Sequence, residues 1–348
     1  MGSLPYFDKP DKLLEGANRL TARVSDDYAH FFEQTVVSAF LDKLKAGISV
    51  PAFPQFRDMN EMFLSILEGV EKTKSGYIEA GKLTVKRGKT VLPEIAVVEK
   101  NAEEIYAQNG SPFQLRVCIT GPYTLASFFP IRSSHTYNQL SLVLSEIVEK
   151  NIFAFKQGKT ALVSIDEPLF GLVDDPLIDV GTEGRETLLD AWESIASKAR
   201  SKGVATCIHL HSTSNDLFWA VKSLEIVESH VDDPLYEMRT TKEHLEKDDK
   251  LLKASIAISD FDQLIREKSG STVSDDEVAD TWKGISRGTL SPEAFLEDVD
   301  VMKRRLVRTV ERFGVDRVAL AGPECGLRGF PTYASAIEYL RRVSSAVK

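Results

Sequence analysis

Short apolar runs that each close on a polar residue recur along this chain, separated by stretches with helical periodicity. The runs fall at residues 48–53, 114–120, 161–165, 204–209, 223–228, 253–259 and 317–321, and residues 2–4 add a stubby first one. Helical patterns fill the intervals, as at 26–46, where Phe31, Phe32, Val36, Phe40 and Leu44 recur on one face before Gly47. Strands that alternate with helices are buried on both faces of a parallel sheet. Eight such units, uninterrupted by any linker, give the expectation of an α/β fold: a single-domain (β/α)8 TIM barrel over residues 1–348. Extra N-terminal helices are expected, with the second running to about Tyr77, and a small hairpin insertion at 82–92 turning at Arg87-Gly88.

Composition narrows the function. The 348 residues are 43% hydrophobic and 27% charged, ordinary for a globular protein, and no apolar run is long enough to span a bilayer. A net charge of −9 argues against a nucleic-acid partner, which calls for a basic face. The opening Gly2-Ser3-Leu4-Pro5 has neither the basic region nor the apolar core of a signal peptide. Cys118, Cys207 and Cys325 are widely spaced, so a disulfide framework is not expected and a cytoplasmic setting is.

The polar residues that close the runs gather on what would be one rim of the barrel, its C-terminal face, where such barrels keep their chemistry. They are Ser3, Gln55, Thr120, Asp166 with Glu167, His209 with His211, Glu228, Asp260 and Cys325. Side chains alternate along a strand, so His209 and His211 share one face of its end. Two imidazoles, the Glu228 carboxylate and the Cys325 thiolate suit zinc, with iron as the other candidate. Singly, each has a plainer reading: hydrogen-bonded histidines, a solvated acid, a small core cysteine.

The motifs that carry these residues resemble the C-terminal catalytic barrel of the cobalamin-independent methionine synthases, within the superfamily that also holds uroporphyrinogen decarboxylase. The pieces are Gly2-Ser3-Leu4-Pro5, Gln55-Phe56-Arg57-Asp58-Met59, Thr120-Gly121-Pro122-Tyr123-Thr124, Asp166-Glu167-Pro168-Leu169, Ile226-Val227-Glu228-Ser229 and Pro323-Glu324-Cys325-Gly326-Leu327. Each is weak alone; their shared order along nearly the whole chain is specific. The resemblance implies a zinc-dependent methyltransferase that moves a methyl group from a carrier, a methyl-pterin or methylcorrinoid, to the thiol of homocysteine, giving methionine. It implies His209, Glu228 and Cys325 as metal ligands, with His211 expected as the fourth, and Asp166 and Asp260 are expected as catalytic residues. Gly2, Ser3, Gln55, Asp166 and Glu167 would bind substrate, with Asp166 on its amino group.

Three departures stand out. The family's His-x-Cys is His209-Leu210-His211 here, which removes one negative charge from the site. The family's acid after the second strand is Gln55. Asp260-Phe261-Asp262 stands where Asp-x-His is expected, and that histidine serves the folate leaving group. Single-barrel relatives take methyl groups from corrinoid proteins or other carriers, so a corrinoid protein enters as a possible partner. Other readings are methyl transfer to a different thiol such as coenzyme M, or a non-catalytic module that binds metal and a thiol or partner. A metal-dependent amidohydrolase fits less well, because its His-x-His follows the first strand. A uroporphyrinogen-type decarboxylase would need more arginines near the N-terminus than Arg19, Arg23 and Arg57.

Overall fold

A computed structural model describes residues 2–6, 8–270 and 273–348. A two-stranded antiparallel hairpin, β1 (Leu67–Thr73) and β2 (Gly76–Val85), precedes the main sheet. That sheet has six parallel strands in sequential order: β3 (Phe113–Thr120), β4 (Gly158–Glu167), β5 (Ala205–Leu210), β6 (Ile226–Glu228), β7 (Leu251–Ala257) and β8 (Val318–Pro323). Every residue of β3 except Gln114 is buried, which is what a near-continuous apolar run predicts for a strand covered on both faces.

The sheet is a curled half-barrel. The first two expected strands are present only as parallel bridges, Ser3 to Gln55 and Ala52 to Arg116. Their backbone still continues the curl: Gln55 N donates to Gly2 O at 3.0 Å and Arg116 N to Pro51 O at 2.9 Å. Pro51 and Pro54 explain why the second run does not become a ladder strand, since neither has an N–H to give. Leu327 N donates to Ser3 O at 2.9 Å, tying the turn after β8 to the first bridge.

The expected helix to Tyr77 and the hairpin at 82–92 are both displaced. A single turn, Glu61–Leu64, is followed at once by β1 and β2, which turn between Thr73 and Gly76. Gly69 and Gly76 adopt φ of +81° and +134°, which no helix interior accommodates, and a Cβ on Gly76 would meet Phe128 O at 2.2 Å. Helix Val299–Phe313 is preceded by a separate 3-10 turn, Pro292–Phe295.

Elsewhere local chemistry sets the ends as expected. Asp26 caps helix Asp27–Lys45 by accepting from the N–H groups of Tyr28 and Ala29. Ser274 and Glu277 form a reciprocal capping box on helix Asp275–Ser286. Phe40, Phe113 and Trp192 are among the fully buried side chains of the main core, and a second core behind β7 and β8 holds Phe261, Phe330 and Tyr339. Among the described residues no helix is long and apolar enough to cross a membrane.

Candidate metal centre

Register decides what meets at the C-terminal rim. Thr120 pairs with Asp166, Asp166 with His209, and His209 with Glu228, so four adjacent strands end level. One further step along β5 and β6 brings His211 and His230 past the sheet edge, with ring centroids 4.0 Å apart. The turn after β8 closes on them with Cys325. Ser259 fixes this turn, because its hydroxyl donates to Cys325 O and accepts from Cys325 N, both at 3.0 Å. The Glu324 carboxylate accepts from Val231 N and Ser259 N, both at 2.8 Å, and so laces three rim loops together.

The outcome is a donor cluster of His209, His211, His230 and Cys325, whose ligand atoms all lie within 4.8 Å of one another. His211 Nε2 stands 3.6 Å from Cys325 Sγ. Although burial opposes it, the imidazoles of His209, His211 and His230 hold the Cys325 thiol well below its ordinary range. Burial works against His209 too, yet Cys325 and Glu228 raise it to about 9, while burial lowers His211. These shifts favour the thiolate of Cys325 and the protonated ring of His209.

Neither ring nitrogen of His209, nor Nε2 of His230, makes a hydrogen bond within the described residues, although these atoms are buried. His209 Nδ1 lies 3.3 Å from Glu228 Oε1, within ion-pair reach but without hydrogen-bond geometry. A buried polar atom left unpaired costs about 1–3 kcal/mol, so such atoms call for an occupant. Three imidazoles and one thiolate at these separations suit a borderline-soft divalent ion, and zinc fits the set.

Glu228 is committed elsewhere as well. Arg116 donates to both its oxygens, at 3.3 Å from Nη1 to Oε2 and more closely from Nη2 to Oε1. Lys253 Nζ stands 2.9 Å from Oε2. Burial alone would raise Glu228, but these two cations hold it well below the usual carboxylate range. Asp166 takes a 2.5 Å hydrogen bond from the Ser164 hydroxyl and lies 3.9 Å from Arg116 Nη2.

The remaining candidates divide. Gln55 sits against Gly2, where an added Cβ would approach Gln55 Oε1 at 3.0 Å, and its Nε2 contacts Met62 Sδ at 3.1 Å. Ser3 packs so closely on the turn after β8 that a Cβ on Gly326 would meet its hydroxyl at 1.9 Å. Asp260 caps helix Phe261–Ser269 and lines a cavity of about 460 Å³ with Asp262, Trp282, His230 and Cys325. Glu167 is not brought to the cluster: its oxygens accept from Tyr123 N, Thr124 N and Trp192 Nε1, and it is fully enclosed. Its burial pushes its pKa up to about 7 against those three donors. His230 is the cluster member that the sequence motifs did not single out. Glu228-Ser229-His230 repeats the two-residue spacing of His209-Leu210-His211 on the neighbouring strand, a signal that was available.

No family model matches the chain. It is 23% identical over 321 residues, 88% of its length, to a 5-methyltetrahydropteroyltriglutamate–homocysteine methyltransferase of Paraburkholderia xenovorans. To the protein of that name from Histophilus somni it is 28% identical over 196 residues, 53% of its length. In sequence the chain is similar to the cobalamin-independent methionine synthases. It spans 36% of the first of these synthases and 25% of the second. Among solved structures, a B12-independent methionine synthase from Shewanella sp. W3-18-1, in complex with selenomethionine, superposes with a TM-score of 0.56 at 13% identity. That match covers 90% of this chain and 86% of the other. A putative vitamin-B12-independent methionine synthase from Listeria monocytogenes gives 0.55 at 14% identity, covering 100% of this chain and 96% of the other. These superpositions bear on the fold.

Proposed function

We propose that this chain is a zinc-dependent methyltransferase that moves a methyl group from a carrier to a thiol, homocysteine in the first instance, to yield methionine. The observation that carries the reading is the cluster of His209, His211 and His230, at the ends of β5 and β6, with Cys325 from the turn after β8, next to Asp166 at the end of β4. We read the half-barrel and its two bridges as a single TIM-barrel domain whose first two strands are reduced to bridges, the second by proline.

A zinc ion held by these residues would lower the pKa of a substrate thiol, so that it reacts as thiolate near neutral pH. His209, His211 and Cys325 are the ligands common to the sequence motifs and the cluster. The chain's own groups do the rest. Asp166, held by Ser164 and level with His209 on the rim, takes the substrate ammonium. The backbone at Gly2 and Ser3, fixed by Gln55 and by the turn after β8, assists Asp166 in holding that end of the substrate. Holding the ammonium end orients the sulfur toward the cluster and lowers the entropy that a bimolecular encounter would cost.

For the donor, the names of the relatives carry a methylated pterin, and the solved neighbours are described as B12-independent. The corrinoid-protein partner entertained from the sequence finds no support in them. Asp260 and Asp262 line the cavity that opens on Cys325, and Asp262 accepts a 2.6 Å hydrogen bond from Trp282 Nε1, which supports assigning the donor to this wall. Asp260 would act there on the departing group.

The test is turnover. Zinc-loaded protein incubated with homocysteine and 5-methyltetrahydropteroyl glutamates should form methionine, with methylcobalamin and coenzyme M as alternative donor and acceptor arms. Absence of methylated thiol in every arm, with homocysteine bound, would leave the cluster as a thiol-binding module.

A further inference from the structure

We infer that His230 completes the metal site as its fourth protein ligand, and that Glu228 stays off the metal, held in place by Arg116 and Lys253. This rests on the proposed function, in which the cluster binds zinc, and replaces the carboxylate that the family resemblance implies at Glu228 by an imidazole two residues further on.

Geometry favours the imidazole. A tetrahedral zinc with bonds of about 2.0–2.3 Å spaces its ligand atoms about 3.3–3.8 Å apart. The 3.6 Å between His211 Nε2 and Cys325 Sγ already has that spacing. The widest separation in the four-residue cluster is 4.8 Å, so it contracts onto an ion with side-chain adjustments of about 1 Å. His230 Nε2 is buried without a hydrogen-bond partner, beside the equally unpartnered nitrogens of His209. Unpaired nitrogens on both members of the pair are what a shared ion would satisfy.

Charge argues the same way for Glu228. Both its oxygens are occupied: Oε1 by Arg116 with His209 Nδ1 at 3.3 Å, and Oε2 by Arg116 and Lys253. All three charged side chains are buried, and the Arg116 guanidinium also donates to Ser164 at 2.6 Å. Turning the carboxylate onto a metal would strand two cations in the core, the expensive outcome for buried ions. Left where it is, Glu228 faces the Nδ1 side of His209 and frees Nε2 for the ion, the carboxylate–histidine–metal relation common around zinc. Glu228 is thus a positioning residue acting through His209.

X-ray absorption on the zinc-loaded, unmodified full chain decides between the two sets. Scattering from three imidazoles and one sulfur is expected; two imidazoles, one sulfur and a carboxylate oxygen would overturn the inference and leave the proposed function standing. A protein that binds no transition metal would overturn both. Variants add a second readout. His230→Ala should lose zinc affinity by more than the roughly 10–100-fold that removal of an outer partner causes, while Glu228→Gln should stay within that range. In metal-loaded Glu228→Gln the His209 Nδ1–H proton signal should shift with the cobalt(II) absorption spectrum unchanged. A changed cobalt spectrum there, with His230→Ala binding zinc as the parent does, would refute the assignment. Should Glu228→Gln fail to fold, the unmodified protein's scattering still distinguishes the two ligand sets.

Discussion

The sulfur of Cys325 lies 3.6 Å from His211 Nε2, across 114 positions of sequence, and it is the only one of the three cysteines set among imidazoles. Cys118 and Cys207 are enclosed in the sheet, where burial raises their thiols, Cys118 to about 11 and Cys207 well above its ordinary range. Burial acts on Cys325 too, but the surrounding imidazoles outweigh it and favour the thiolate. In metal-free protein, alkylation should therefore fall on Cys325 alone. A free thiol below its pKa gains about tenfold in rate per pH unit; Cys325 should instead react at a nearly constant rate between about pH 6 and 8. Mass-spectrometric mapping of the labelled site checks this. The sign for stability follows: a thiol lowered in the folded state supports folding above its unfolded pKa, and that support fades as pH falls through the native value.

Glu228 makes the largest electrostatic claim on the fold. Glu228→Gln leaves Arg116 and Lys253 without a counter-charge and should destabilise by about 3–5 kcal/mol, a large part of a typical domain's stability. Arg116→Met should cost less, since Lys253 still neutralises the carboxylate. Urea unfolding of the two variants gives the order. Because Glu228 is lowered in the folded state, its contribution is complete above about pH 4.5 and disappears as pH falls through its native value.

Much of this centre was legible in the sequence, and the reasons are local. The two-residue spacing of His209 and His211 at the end of an apolar run fixes their common side, and the Pro-Glu-Cys-Gly turn places Cys325 on the same rim. The partners of Glu228 were not legible. Arg116 and Lys253 sit within runs that read as buried strands, and only the closed geometry shows that their charges meet a carboxylate 112 and 25 positions away. The stretch that forms β1 and β2 reads as helix when its apolar residues are weighed above the breaks at Gly69 and Gly76. Proline at 51 and 54 likewise reduced an expected strand to a bridge.

Asp166 is level with His209 but outside the donor cluster, so its removal should separate substrate binding from metal binding. Asp166→Asn should keep its zinc and lose homocysteine affinity by roughly 2–5 kcal/mol, the usual cost of leaving one member of a buried charge pair alone. Calorimetric titration against homocysteine, with metal analysis of the same sample, measures both quantities.

His211→Cys restores the family's His-x-Cys and adds a negative charge to the centre. The bound thiol should then deprotonate at higher pH but attack faster once ionised, as thiolate reactivity rises with basicity at a slope of about 0.4–0.5. The acidic limb of the methyl-transfer pH profile should move upward; an unchanged profile and zinc content would place His211 outside the set of ligands.

The most direct test of the central claim, that this cluster activates a substrate thiol through a bound metal, is proton release on homocysteine binding. Titrations of zinc-loaded protein in buffers of different ionisation enthalpy should show close to one proton released per thiol bound near neutral pH. The metal-free protein and Cys325→Ser should release none. Binding of homocysteine to the zinc-loaded protein without proton release would contradict the account.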